Sequence, residues 1–197
     1  MIKKGQKIMN KINTPLANKT SINSPLICLE SMDLIGKLNL RVKNTDSESH
    51  IKISNFLEYK LPLNAGDVST NNQSRASWMG PDEYLIQCPN DSKDDFANEL
   101  NQILHGSFYA LTDVSDYYLT IRVSGSKSID VLQKGCPLNF KEYLNKKNTC
   151  AQSYISKASV LIDRLSDEKV FDVLVRWSMA EYLWDWLEDS SIEFSEK

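Results

Sequence analysis

The amino-acid sequence predicts an α+β fold made of two ferredoxin-like split βαβ repeats, with mainly antiparallel sheets that carry helices on one face. Three observations support this fold. Several short runs alternate apolar and polar residues, which is typical of strands. Amphipathic segments with capping residues lie between those runs. The order β α β β α then occurs twice, at an offset of about 80–85 residues.

The first repeat begins with a strand at 36–42, in which alternate residues are apolar. A short helix follows, with Asp46 or Ser47 as its N-cap, and then a polar loop at 61–75. Two β-rich runs flank "GPDE" at 80–83, which predicts a hairpin.

The helix after this hairpin is amphipathic and well delimited. Asp91 or Ser92 caps its start, and Gly106 stands where a helix-ending glycine belongs. Its apolar face consists of Phe96, Leu100, Ile103 and Leu104.

The second repeat has the same order. Two strands are predicted in 107–125, with a turn near 114–116, and a short helix follows with Ser126 as its N-cap. A long strand from 150 then turns at 166–168 and returns.

The last helix is predicted from Ser178 to Asp189. Ser178 and Glu181 have the Ser-x-x-Glu spacing of a capping box.

Two segments of different character make up the chain. Residues 1–24 are expected to form a disordered basic tail, because five lysines and no acids lie in the first 20 positions. An interaction arm or a transit peptide is the alternative. Residues 25–197 are expected to form a single domain of two pseudo-repeats, at about 34–114 and 115–190.

Composition excludes several classes of function. The net charge is −3 and the arginines are scattered, so neither nucleic acid nor an anionic membrane is expected as a partner. No apolar run approaches the roughly 20 residues of a membrane helix. The four cysteines form no CxxC pair, which argues against zinc, and a cytoplasmic location is expected.

The run "KGCPLNF" at 134–140 raises the question of a reactive cysteine. Gly135 and Pro137 are expected to end the preceding helix, with Gly135 at positive φ. Cys136 would then lie at a helix C-terminus, where the dipole disfavours a thiolate. We therefore predict a buried structural cysteine.

Other side chains with catalytic potential form no convincing site. Ser115, Asp113 and His105 contain the residue types of a hydrolase triad, but without a G-x-S-x-G elbow. Asp113 and Asp116 flank a predicted turn, and we interpret them as turn-formers rather than as an acid–base pair.

The last helix has an apolar arc of about 200°, twice the roughly 100° that one sheet requires. Leu183 and Leu187 lie in mid-arc and are expected to face the sheet of this chain. Tyr182, Trp184 and Trp186 lie at the two margins and are candidate subunit-interface residues, since Trp and Tyr are enriched at interface hot spots. Packing of the whole arc in the core is the alternative.

Four motifs resemble one protein family. They are "SWMGPDEYLIQCP" (77–89), "DVSDYYLTIRVSGSKSIDVLQKGCPLNF" (113–140), "CAQ" (150–152) and "FDVLVRWSMAEYLWDWL" (171–187). In order and spacing they resemble the gamma subunit of heterotetrameric bacterial sarcosine oxidase, from about residue 25 to about 190.

This resemblance implies a fold like the folate-binding domain of aminomethyltransferases and a place in a complex with alpha, beta and delta subunits. That complex oxidatively demethylates sarcosine to glycine and passes the one-carbon unit to tetrahydrofolate. The resemblance implies no catalytic, cofactor-binding or metal residue in this chain. FAD, FMN, NAD, tetrahydrofolate and zinc are expected in the partner subunits.

Two alternatives to this function remain open at the level of sequence. One is a stand-alone folate-binding protein of the aminomethyltransferase type, and the other is a subunit of a related demethylase, such as one acting on dimethylglycine. In the aminomethyltransferases an acid early in the strand before the last helix holds the pterin. The corresponding positions 158–161 read "ASVL", and Asp163 is expected near the turn. The resemblance therefore implies that the fold is kept and the folate site lost.

Overall fold

Residues 14–195 are described by a computed structural model, in which helices flank two antiparallel sheets. The strands are β1 (Ile22–Asn23), β2 (Cys28–Ser31), β3 (Gly36–Val42), β4 (Val68–Thr70), β5 (Arg75–Gly80), β6 (Glu83–Cys88), β7 (Tyr109–Asp113), β8 (Tyr118–Ser124), β9 (Thr149–Ile155), β10 (Ala158–Ser166) and β11 (Val170–Arg176). The helices are α1 (Ser47–Leu57), α2 (Lys93–Ile103), α3 (Ser128–Gln133), α4 (Phe140–Tyr143) and α5 (Ala180–Ser195). The predicted α+β class with mainly antiparallel sheets is confirmed.

The two sheets share one strand order. The first-repeat sheet runs β4-β5-β6-β3-β7, and the second-repeat sheet runs β9-β10-β11-β8-β2-β1. All neighbouring strands are antiparallel. The first five strands of the two orders therefore correspond one to one, and β7 corresponds to β2. The second sheet has a sixth strand, β1, outside β2.

The second pseudo-repeat is completed by residues that precede the first. β2 pairs with β8, at Cys28↔Ser124 and Leu29↔Val123. Between β7 and β8 the chain crosses from one sheet to the other, because β7 pairs only with β3 among the described strands. The sequence predicts both strands but not this exchange.

Part of the segment that was expected to form a disordered tail is ordered. Residues 14–24 belong to the domain: β1 pairs with β2, and Leu16 is only 2% exposed in the core beneath the second-repeat sheet. Lys19 pairs with Asp185 of α5. The polar composition of this segment does not reveal that it is part of the domain, because only one buried leucine and a two-residue strand anchor it. Residues 1–13 lie outside the described part of the chain.

The long strand predicted from 150 to 165 is two strands. β9 and β10 pair in register Ile155↔Ala158, joined by a tight turn at Ser156 and Lys157. Ser156 has φ 51°, a left-handed conformation without glycine. The turn therefore carries no Gly or Pro signal that a reading of the sequence could use.

Two predicted helix starts are wrong. A 3₁₀ turn at Trp177–Met179 precedes α5 and has no side-chain cap, so Ser178 lies inside a helical turn instead of capping one. The short helix α3 begins at Ser128 with Lys127 in the N-cap position, one residue later than a Ser126 cap requires. The predicted cap of α1 is confirmed, since Asp46 accepts a hydrogen bond from the Ser49 amide.

The two sheets pack face to face, with helices on their outer faces. In β10, Val160 and Ile162 contact the helix-side core, whereas Leu161 belongs to a small cluster on the opposite face. The first-repeat sheet buries Leu38 and Ile86 against α1 and α2 in the same way. Strand alternation thus gives each sheet an outer apolar core and an inner face that meets the other sheet.

Candidate functional site

The last helix contains the three residues predicted at a subunit interface, and the structure separates them. Trp184 is 0% exposed and lies in the core with Leu183 and Leu187. The prediction is therefore wrong for Trp184, because α5 packs closely enough against the sheet to bury this margin of its apolar arc. The mid-arc prediction for the two leucines is confirmed.

Tyr182 and Trp186, on the other margin, are half-buried against their own chain. The Tyr182 hydroxyl lies 2.7 Å from the Ser156 hydroxyl, in the turn between β9 and β10. The Trp186 ring covers Gly135 so closely that a Cβ there would lie 2.5 Å from a ring carbon. Both residues remain partly exposed.

Cys136 is buried, at 5% exposure, and its Sγ lies 3.5 Å from the Ser153 hydroxyl. It packs in the core of the second-repeat sheet, which confirms the structural role predicted for it. Gly135 does not have the positive φ that was predicted. It is needed because Trp186 leaves no room for a side chain.

Two of the other cysteines, Cys88 and Cys150, are poor nucleophiles. Burial raises the pKa of Cys88 to about 11 and that of Cys150 to about 12, so both thiols stay protonated near neutral pH. Within residues 14–195, no three His, Cys, Asp or Glu side chains form a group that could hold a metal ion.

Asp113 forms a turn, as interpreted from the sequence. It accepts hydrogen bonds from the amide and the hydroxyl of Ser115, at 2.9 and 2.6 Å, and pairs with Lys93 at 2.6 Å. Burial alone would raise the pKa of Asp113, but these bonds outweigh burial and hold the pKa below its ordinary value. Ser115 also accepts from the Lys37 amide, and His105 is exposed at the end of α2. These contacts therefore do not assemble the Ser115, Asp113 and His105 triad, since His105 makes no hydrogen bond to either residue.

The inner faces of the sheets contain a buried ion pair that joins the repeats. Arg75 of β5 donates from Nε and Nη2 to the two carboxylate oxygens of Asp163 on β10, at 2.5 and 2.6 Å. Arg75 also donates to the Asn148 side chain at 3.0 Å. Asp163 is 0% exposed; its burial raises the pKa, and the Arg75 guanidinium works in the opposite direction. The pair is therefore a structural clamp between the sheets.

Lys37 of β3 is a second buried charge on these faces, at 1% exposure. Its ammonium donates to the carbonyls of Ile35 and Tyr118, each at 3.2 Å, and so joins β3 to β8. Burial lowers the pKa of Lys37 to about 8, although the charges of Asp172 and Asp116 act to raise it.

Sequence reasoning missed these buried charges. Asp163 lies in mid-strand rather than near a turn, paired in register with Asp172 of β11. A signal was present, since a charged residue that interrupts an apolar strand is rarely buried without a partner. The partner, Arg75, lies 88 residues away in sequence, and the spacing of residues does not reveal it.

An open cleft of about 450 Å³ lies at one end of the inner faces, beside β3, β7 and the start of β8. Its carboxylate, Glu83, accepts from Asn39 at 2.7 Å and from Arg41 at 3.1 Å. Tyr117 and Tyr118 form an edge-to-face pair in its wall.

Among residues 14–195, the positions that would correspond to a pterin site do not fit that ring. A pterin ring requires a carboxylate or amide edge that is free to pair with its nitrogens. The strand at 158–162 has no acid, Asp163 is buried on Arg75, and Glu83 is bonded to its neighbours. No step of folate chemistry is therefore assigned to this chain.

Comparisons with known proteins identify the fold. The structure is similar to a chain of the heterotetrameric sarcosine oxidase from Corynebacterium sp. U-96 in complex with pyrrole 2-carboxylate, with a TM-score of 0.83 and 22% identity over 94% of this chain and 97% of that chain. It is also similar to the glycine cleavage system aminomethyltransferase T from Bartonella henselae, with a TM-score of 0.60 and 14% identity over 81% of this chain and 44% of that chain. Both likenesses establish the fold.

Three further findings concern curated relatives, the helices and the protein family. No curated protein matches the sequence significantly. None of the helices in residues 14–195 is long and apolar enough to cross a membrane. A profile of the sarcosine oxidase, gamma subunit family matches residues 41–193. Since this match spans more than half of the chain, the protein belongs to the sarcosine oxidase gamma subunit family.

Proposed function

We propose that this chain is a non-catalytic subunit that supports assembly of a heterotetrameric sarcosine oxidase with alpha, beta and delta subunits. The observation that carries the proposal is the family match over 41–193, together with a fold similar along 94% of the chain to a sarcosine oxidase chain. The complex demethylates sarcosine oxidatively and transfers the one-carbon unit to tetrahydrofolate. FAD, FMN, NAD, folate and zinc are held by the partner subunits.

The chemistry of the described residues supports a non-catalytic role. The buried charges are engaged with each other or with the backbone, as in the Arg75–Asp163 pair. The thiols of Cys88 and Cys150 have raised pKa values. General acid–base or nucleophilic chemistry needs a group that is both accessible and matched in pKa to its task. The buried charges and the Cys88 and Cys150 thiols do not meet both conditions, and we therefore place the role of this chain in its surface and its fold.

The exposed margin of α5 is one proposed contact with the partner subunits. Tyr182 and Trp186 are partly exposed and lie one turn apart on this helix. We expect Tyr182→Glu to weaken assembly, because the new charge would have to be desolvated without a counter-ion, while the isolated chain stays folded. Trp184→Glu is expected to unfold the isolated chain, because it places a charge in the core. Circular dichroism and pull-down on both variants would distinguish these effects.

The proposed function is tested by omission of the chain. The alpha, beta and delta subunits are expressed with and without it, and sarcosine-dependent peroxide formation is measured in both preparations and with the purified chain alone. We expect sarcosine-dependent peroxide formation from the four-chain preparation. We expect at least about tenfold less of it from the preparation without this chain, and none from the purified chain alone. Equal, stable activity without this chain would overturn the proposed role.

A further inference from the structure

We draw no further inference here: the strongest candidate, the open cleft beside Tyr117 and Tyr118 at one end of the inner faces of the sheets, has its carboxylate, Glu83, already bonded to Asn39 and Arg41, and nothing in residues 14–195 shows what covers it.

Discussion

At the scale of single residues, the inner faces of the sheets are notable for buried charge. Arg75 and Asp163 form a bidentate pair across the two repeats, and the Lys37 ammonium bonds to two backbone carbonyls. A buried ion pair adds little net stability, but loss of one partner leaves the other charge without compensation. These residues therefore fix how the sheets meet.

The Arg75–Asp163 pair predicts a non-additive loss of stability. Arg75→Leu is expected to lower the free energy of unfolding by about 3–5 kcal/mol, because Asp163 stays buried without a counter-ion. Arg75→Leu combined with Asp163→Leu should lose much less. Urea denaturation checks both, with Arg41→Leu as a control whose surface pair should contribute less than about 1 kcal/mol. A double variant as unstable as the single one would contradict the clamp.

Lys37 predicts a rise of stability with pH. Its pKa is about 8 in the folded chain, and an unfolded lysine titrates near 10.4. Between these values the unfolded chain binds more protons, so this residue makes stability increase by up to about 1 kcal/mol per pH unit, and its contribution is constant below that window. Lys37→Met should lack this rise. Urea midpoints at about pH 7.5 and about pH 9.5 test it, and an identical pH dependence in both proteins would refute it.

Local sequence explains some of these residues and not others. The buried role of Cys136 follows from its neighbours, a helix end and a proline. Gly135 was predicted for its backbone freedom, yet its requirement comes from Trp186, 51 positions away. Asp163 was expected near a turn and is instead held by Arg75. Contacts between distant elements decide these roles, and the spacing of residues along the chain does not reveal such contacts.

At the scale of elements, the width of the apolar arc of α5 indicates how much of the helix is buried. The arc is wide, which indicates that the helix contacts more than one face of one sheet. The structure fills most of that arc with its own chain: Trp184 is in the core, and Trp186 packs on Gly135. The turn that carries Ser156 approaches the same face of the helix. A helix packed on a sheet and on two loops needs a wider stripe than one packed on a sheet alone.

Gly135 tests how tightly α5 is seated. Gly135→Ala would place a Cβ 2.5 Å from the Trp186 ring, so the helix or the ring must shift. We expect a loss of about 1–3 kcal/mol in the free energy of unfolding and a change in Trp fluorescence. Gly80→Ala is the matched control, since its Cβ would meet only the Glu83 Cβ at 3.7 Å. If the two variants were equally stable, the contact between Gly135 and Trp186 would not constrain the helix.

At the scale of the whole molecule, the repeat predicts the two sheets but not the strands that complete their edges. The order β α β β α, found twice in the sequence, predicts the two sheets and their outer helices. It does not predict that β2 completes the second sheet while β7 ends the first, because edge strands carry weak patterns. The same limit applies to residues 14–24, whose anchoring rests on Leu16 and a two-residue strand.

The buried and the exposed side chains of the fold have different roles. The buried charges of Arg75, Asp163 and Lys37 join the two sheets, whereas Tyr182 and Trp186 stay partly exposed on α5. A subunit that acts through these surfaces can keep its fold while the catalytic groups lie elsewhere in the complex.

Size-exclusion chromatography of the affinity-tagged chain, purified alone and after co-expression with the alpha, beta and delta subunits, tests the central claim most directly. The account predicts that the isolated chain elutes near the 22.5 kDa of its sequence without flavin absorbance. After co-expression it should elute with the large subunits in a single peak that absorbs as flavin and oxidises sarcosine. Flavin or sarcosine turnover retained by the isolated chain, or its elution apart from an active complex, would contradict the account.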